Sequence, residues 1–222
     1  MANLRDIRRR IKSVKSTSQI TKAMELVSAA KMKKAQNQAL AGRDYADRLN
    51  KVLVNLKKNT GEDSHPLLGK REGKKELMLV ISTGRGLCGG LNTNLYKAVR
   101  RNASDDTEYV TVGKKLRQTI AKTGGRIVTD WDVADPVPFN DAKPISKFLT
   151  EQFLSGEYDK ISVAFNNFVS TLTQTPEVFQ LLPIESKDLG EKQDYEGVGT
   201  DEIGETDKAA AMNSDYEFEP NA

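Results

Sequence analysis

The first 60 residues form a basic stretch without proline, and this stretch strongly limits the folds open to the chain. Apolar side chains recur there at alternating spacings of three and four residues, beginning with Leu4, Ile7, Ile11 and Val14. This spacing is typical of a helix that packs along one seam against another helix. The stripe continues to Met32, and the first proline is Pro66. We predict one helix over residues 4–58, roughly 80 Å long at 1.5 Å per residue, which must project beyond a small domain.

Charge divides the chain into three segments. Residues 1–60 contain 15 Lys and Arg against four Asp and Glu, whereas residues 184–222 contain three against 12. The middle segment is close to neutral, as expected of a compact domain. We therefore predict a long N-terminal helix over 1–60, an α/β domain over 61–183 and a flexible acidic segment over 184–222.

The middle segment alternates apolar runs with helical patterns. Strands are predicted over residues 77–81, 109–112, 126–129, 160–169 and 176–182. Helices are predicted over 94–101, 114–122 and 144–154. This alternation predicts an α/β sheet with helices on its faces, a Rossmann-like domain that carries the long coiled-coil helix at its N-terminal side.

A glycine-rich loop follows the first predicted strand and leads into a helix. Its three spaced glycines are Gly84, Gly86 and Gly89. Their G-x-G-x-x-G spacing is the fingerprint of a dinucleotide-binding turn, which also needs an acid at the end of the second strand. Asp105 and Asp106 have about the right spacing but precede that strand, which ends instead at Gly113-Lys114-Lys115. A dinucleotide-binding module is therefore one alternative, and a turn with only a structural role is another.

The remaining composition indicates little bond chemistry. Cys88 is the only cysteine and His65 the only histidine, so we predict no disulfide, no metal site, no cofactor and no catalytic residue. The N-terminus offers no apolar leader, and no stretch approaches the roughly 18 apolar residues of a membrane span. The basic helix could bind nucleic acid through phosphate neutralisation, but its apolar stripe would then stay exposed. A protein partner explains both features.

Several segments together resemble the gamma subunit of bacterial F-type ATP synthases. The most specific are MANLRDIRRRIKSVK at residues 1–15, QITKAMELV at 19–27 and RGLCGGLN at 85–92. Further similarity lies in TQTP at 173–176, QLLP at 180–183 and DYEFEP at 215–220. The family usually has Asp at the position of Gly84, and this change is what completes the glycine spacing.

The resemblance implies a rotor that couples proton flow through the membrane sector to ATP synthesis or hydrolysis in other subunits. The N-terminal helix would pair antiparallel with a second long helix inside a ring of three alpha and three beta subunits. The α/β domain would contact epsilon and the membrane rotor ring, without nucleic acid. It also implies a peripheral location on the cytoplasmic face of a bacterial plasma membrane, held there by the complex. The sequence stops at Ala222, where family members continue into the second helix, so we expect that helix to be absent from this chain.

The same resemblance implies contacts with the alpha and beta ring. On the helix, these are Arg8, Arg9, Ile11, Lys22, Met24, Lys31 and Lys33. In the glycine loop, they are Arg85, Gly86, Cys88 and Gly89. Backbone amides and a guanidinium suit an acidic loop of a beta subunit.

Overall fold

A computed structural model describes residues 3–59, 65–71, 73–135 and 137–184 of the protein. Contacts divide the chain into two units, Met1–Asn50 and Lys51–Ala222, and each is described by itself. Apart from Ile184, the predicted acidic segment lies outside the described residues, as does the DYEFEP similarity at 215–220.

Helix α1 spans Leu4–Asn59 and contains 56 residues, so the prediction of one helix over 4–58 is confirmed to within a residue. Asn3 caps its start, because its carbonyl oxygen accepts the amides of Asp6 (2.8 Å) and Ile7 (3.2 Å). The Asn3 side-chain oxygen also accepts the amide of Arg5 (3.3 Å). The side-chain contact satisfies an amide that the first helical turn leaves without a backbone partner.

The domain that follows contains one five-stranded sheet. Its strands are β1 (Glu76–Ile81), β2 (Glu108–Val112), β3 (Ile127–Trp131), β4 (Lys160–Phe168) and β5 (Gln174–Leu182). They lie in the order β3-β2-β1-β4-β5. The first four strands are parallel, and β5 pairs antiparallel with β4. The amino ends of β1 to β4 therefore share one edge of the sheet, the amino edge, with the last residues of β5.

Three helices cover the two faces of this sheet. They are α2 (Leu91–Asn102), α3 (Lys114–Lys122) and α4 (Phe139–Leu154). Leu95 of α2 and Leu116 of α3 belong to one buried apolar cluster, whereas Leu149 of α4 belongs to the other. The predicted α/β class is thus confirmed, as a three-layer arrangement.

The boundaries of some elements differ from the prediction. Helix α4 begins at Phe139, five residues before the predicted start, because Pro138 precedes the helix and Pro144 lies inside it. Helix α2 begins at Leu91 instead of 94, directly after the glycine loop. Strand β3 extends to Trp131, whose ring packs edge to face on Phe148 with the ring centroids 5.3 Å apart.

The amino edge contains two buried carboxylates on neighbouring strands. Glu76 on β1 accepts the Lys160 ammonium (3.1 Å) and the hydroxyl of Ser162. Glu108 on β2 accepts the Tyr158 hydroxyl (2.6 Å) and the Arg126 guanidinium (2.9 Å). Both carboxylates are paired and hydrogen-bonded, which offsets the cost of removing them from water.

Tyr158 links this network to the apolar core, and its replacement should have a measurable cost. Burial, followed by its bond to the Glu108 carboxylate, raises the pKa of the Tyr158 hydroxyl. Tyr158→Phe should lower the free energy of unfolding by about 1–3 kcal/mol, because Glu108 loses a buried partner. A raised tyrosine pKa contributes stability that is complete below about pH 10 and is lost above it. Chemical denaturation at pH 8 and at about pH 11 measures the free energy of unfolding. Its decrease between the two pH values should be smaller in Tyr158→Phe than in the original chain.

The matched control is Tyr96→Phe. The Tyr96 hydroxyl bonds the Thr123 hydroxyl (3.0 Å) in an exposed position, so this loss should cost roughly 0.5 kcal/mol or less. Equal losses in the two variants would contradict a special role for the buried network.

Candidate partner-binding surfaces

Helix α1 presents its apolar stripe to solvent. The side chains of Leu4 and Ile11 are 71% and 52% exposed. Others along the stripe, all exposed, are Ile7, Val14, Val27 and Met32. Scattered apolar residues are common on protein surfaces, but a regular stripe on a long helix indicates a binding face.

Two threonines lie among the residues of this stripe. The Thr17 hydroxyl donates to the carbonyl of Ser13 (3.0 Å), and the Thr21 hydroxyl donates to the carbonyl of Thr17 (2.8 Å). Each hydroxyl thus satisfies its donor within the helix. The stripe can be covered at these positions without leaving a hydroxyl donor unpaired.

The predicted ring contacts on α1 are all exposed: Arg8, Arg9, Ile11, Lys22, Met24, Lys31 and Lys33. At 3.6 residues per turn, Ile11, Lys22 and Lys33 share one side of the helix. Met24 and Lys31 lie nearly opposite that side. The helix therefore presents these residues in two directions, which suits a shaft surrounded by partners better than one flat interface.

Side-chain hydrogen bonds hold the glycine loop between β1 and α2. The Asn92 amide group donates to the Thr83 hydroxyl (2.7 Å) and to the Cys88 sulfur (3.2 Å). The Thr83 hydroxyl donates in turn to the Arg85 carbonyl (2.7 Å). Asn92 thus organises the loop, a role that the sequence analysis missed because the residue reads as the start of a helix.

The tip of this loop exposes an apolar and a charged side chain side by side. Leu87 is 96% exposed and has a φ of 61°, a conformation that L-residues rarely adopt. Arg85, Gly86 and Gly89 are also exposed, and Cys88 is half-buried. Among the described residues, no carboxylate pairs with Arg85. Sequence analysis missed Leu87, since nothing in its neighbourhood predicts an exposed apolar side chain.

The base of the loop is built against the end of β2. The Ser82 amide donates to the Val112 carbonyl (2.8 Å), and the Leu116 amide donates to the Ser82 hydroxyl (3.2 Å). The Lys115 ammonium lies 3.5 Å from where a Cβ would stand on Gly86. A dinucleotide site needs a ribose-binding acid at the end of this strand, but the chain has lysine there. This favours the interpretation of the loop as a turn held by its own hydrogen bonds.

Comparison with known proteins decides between the remaining interpretations. The family model described as ATP synthase matches residues 3–222. The ATP synthase gamma chain of Opitutus terrae is 41% identical, and the match covers 100% of this chain and 74% of that relative. The chain belongs to the ATP synthase gamma chain family. The predicted resemblance is thereby confirmed.

Other gamma chains differ in how much of their length is matched. The gamma chain of Akkermansia muciniphila is 47% identical over 85% of this chain and 65% of that relative. The present gamma-family chain therefore spans between about two thirds and three quarters of the length of these two relatives.

Solved structures agree with the fold of a gamma chain. A chain in the central stalk/c-ring structure of Tetrahymena thermophila mitochondrial ATP synthase is 25% identical, with a TM-score of 0.60. The match covers 74% of this chain and 72% of that one. Within the described residues of this family member, no helix is long and apolar enough to cross a membrane.

Proposed function

We propose that this chain is the central-stalk rotor subunit of a proton-translocating F-type ATP synthase. The observation that carries the proposal is helix α1, which is about 84 Å long at 1.5 Å per residue and has an exposed apolar stripe. A helix of this length with one apolar stripe needs a second helix along it. Membership of the gamma chain family supports this assignment.

The rotor would act by presenting different contacts to equivalent catalytic subunits. Three alpha and three beta subunits surround the shaft, and ATP is made or hydrolysed at their sites, not on this chain. Because the shaft is asymmetric, each orientation offers a different set of side chains to the three beta subunits. A difference in contact free energy between conformations biases their equilibrium, so rotation drives them in turn.

The exposed residues of α1 and of the glycine loop would make these contacts. In this proposal, Lys22, Met24, Lys31 and Lys33 pass acidic loops of the beta subunits as the shaft turns. Arg8, Arg9 and Ile11 belong to the same shaft, and Arg85, Gly86, Cys88 and Gly89 bind a carboxylate-rich loop. A guanidinium without a carboxylate partner in the described chain is available for such an interaction.

The α/β domain would lie outside the ring, against the epsilon subunit and the membrane rotor ring. We place the assembled complex on the cytoplasmic face of a bacterial plasma membrane. The chain would reach the membrane only through its partners. The supporting observation is the structural similarity to a chain of a central stalk/c-ring structure.

Reconstitution tests the proposal directly. The full chain is mixed with alpha and beta subunits from the same source, separated by size exclusion and assayed for ATP hydrolysis. A complex with one copy of this chain for three alpha and three beta subunits is expected. Elution of the chain apart from a properly formed alpha and beta assembly would contradict the rotor function.

Charge reversal in the glycine loop should weaken coupling without unfolding the domain. Arg85→Glu replaces an exposed cation with an anion, so its contact with an acidic loop becomes repulsive. We expect roughly tenfold or more loss of proton-driven ATP synthesis in the reconstituted synthase. The thermal midpoint of the isolated chain should barely change, because the side chain is exposed.

Lys143→Glu on α4 is the matched control, since it makes the same charge change at an exposed position of the α/β domain. It should retain near-normal synthesis. Equal losses in the two variants would show that net charge, and not the loop contact, is responsible.

A further inference from the structure

Helices α2 and α3 form a layer of one charge on one face of the sheet. Together they contain seven Lys and Arg and no Asp or Glu. Helix α4, on the opposite face, has two basic and two acidic residues and is therefore neutral. The α2 and α3 layer is thus a basic surface.

Only part of this charge is neutralised within the described residues. Lys114 pairs with Asp132 (3.3 Å), and Arg117 pairs with Asp130. Lys97, Arg101 and Lys122 are exposed and have no carboxylate partner in the described part of the chain.

Helix dipoles account for some of these cations but not for all. Arg101 and Lys122 lie in the last turns of their helices, where a positive charge is favourable. Lys97 lies in the middle of α2, where the helix dipole does not explain a cation. The dipole also does not explain why both helices lack acidic residues. The first turn of each helix would favour an acid, yet neither has one.

The chain leaves the sheet at the edge where these helices end. Because β5 is antiparallel to β4, its last residue, Leu182, pairs with Ile161 at the start of β4. Helices α2 and α3 run back from the carboxyl ends of the parallel strands, so their last turns also lie at the amino edge. Helix α2 packs against β4 and β5 themselves. The last described residue, Ile184, packs on the apolar cluster of α4, so residues 185–222 must pass around the amino edge to reach the basic layer.

These 38 residues have the opposite charge, with 12 Asp and Glu against three Lys. Their extended length of more than 100 Å, at about 3.3 Å per residue, is ample to reach either helix. Attachment to the same domain gives them an effective concentration in the millimolar range, which favours even weak contacts.

We propose that the acidic segment 185–222 docks on the basic layer of α2 and α3. Its carboxylates pair with Lys97, Arg101 and Lys122. The segment then occupies a surface that would otherwise attract acidic proteins, and any such partner must displace it. Asp105 and Asp106 are exposed in the turn after α2 and mark the limit of the basic layer at the amino edge. Their negative charges repel the acidic segment, so its contact lies on the helices.

Zero-length cross-linking of the full chain tests this contact. A carbodiimide joins a lysine ammonium to a carboxylate only when the two are in contact, and mass spectrometry locates the bond. We expect cross-links from Lys97 and Lys122 to acids of 185–222, with yields unchanged on dilution of the protein. Most of the yield should disappear at about 1 M salt, where the Debye length falls to about 3 Å.

Charge-reversed variants separate a specific contact from general attraction. In Lys97→Gln, the remaining cross-links should involve Lys122. In a separate variant that combines R101E and K122E, most cross-links between the helices and the acidic segment should disappear. The matched control is K143E with K147E on α4, which should leave the cross-links unchanged. Folding of each variant is checked by circular dichroism. Cross-links confined to lysines outside α2 and α3, or none at all, would overturn the proposal.

Discussion

Replacing Ile11 by Asp in helix α1 is expected to abolish assembly of a functional rotor. Ile11 lies in the apolar stripe, which our proposed function places against a second long helix in the assembled rotor. A carboxylate at that position would be removed from water without a partner, at a cost of several kcal/mol. Since 4.1 kcal/mol corresponds to about a thousandfold change in affinity, helix pairing should fail. Reconstituted synthase should show almost no proton-driven ATP synthesis.

The isolated chain should behave differently from the complex. Ile11 is 52% exposed in the structure, so Ile11→Asp should leave the unfolding of the α/β domain unchanged. Ser16→Asp is the matched control: it adds the same charge about 140° around the helix from Ile11. Normal synthesis with Ile11→Asp would show that the stripe is not a binding seam.

Gly113→Ala should strongly destabilise the α/β domain. Gly113 has a φ of 91° and a ψ of 145°, a conformation essentially restricted to glycine. A Cβ there would also collide with the Ser82 carbonyl oxygen, where β1 meets β2. Backbone strain and overpacking each cost about 1–3 kcal/mol. We expect a loss of roughly 3–5 kcal/mol, a large share of the stability of a typical domain.

Gly124→Ala is the corresponding control. Gly124 has a φ of 79°, but a Cβ on it would meet nothing within 4 Å. Gly124→Ala should therefore lower the free energy of unfolding only through backbone strain, by about 1–2 kcal/mol. Denaturant titration of both variants measures the difference, and similar losses would show that Ser82 can move aside at little cost.

Local patterns in the sequence predicted most of the elements. Helix α1 needed only its spacing and the absence of proline, and α3 was predicted at its observed bounds, Lys114–Lys122. Both depend on contacts between residues close in the chain, which periodicity reports. The start of α4 was missed because Pro144 lies inside that helix, where proline removes a backbone hydrogen bond and is usually excluded.

Features that depend on distant residues were not predictable in this way. Nothing local shows that β5 runs antiparallel, since that follows from its pairing with β4. The burial of Glu76 and Glu108 depends on Lys160, Arg126 and Tyr158, which are brought close only by folding. In the loop, Leu87 has a positive φ close to that of Gly89, which no local pattern predicts. The Asn92 hydrogen bonds hold the loop in that shape.

The antiparallel strand β5 has a consequence for how this architecture can change. It returns the chain to the edge where β1 began, and the Ile184 amide donates to the Leu67 carbonyl (3.0 Å). The points of entry and exit of the α/β domain are therefore adjacent. A domain attached in this way is an insert that a short linker could replace, because neighbouring termini tolerate insertion and excision. Replacing the residues between Leu67 and Ile184 by a short linker would therefore require little displacement of the two points where the chain enters and leaves the domain.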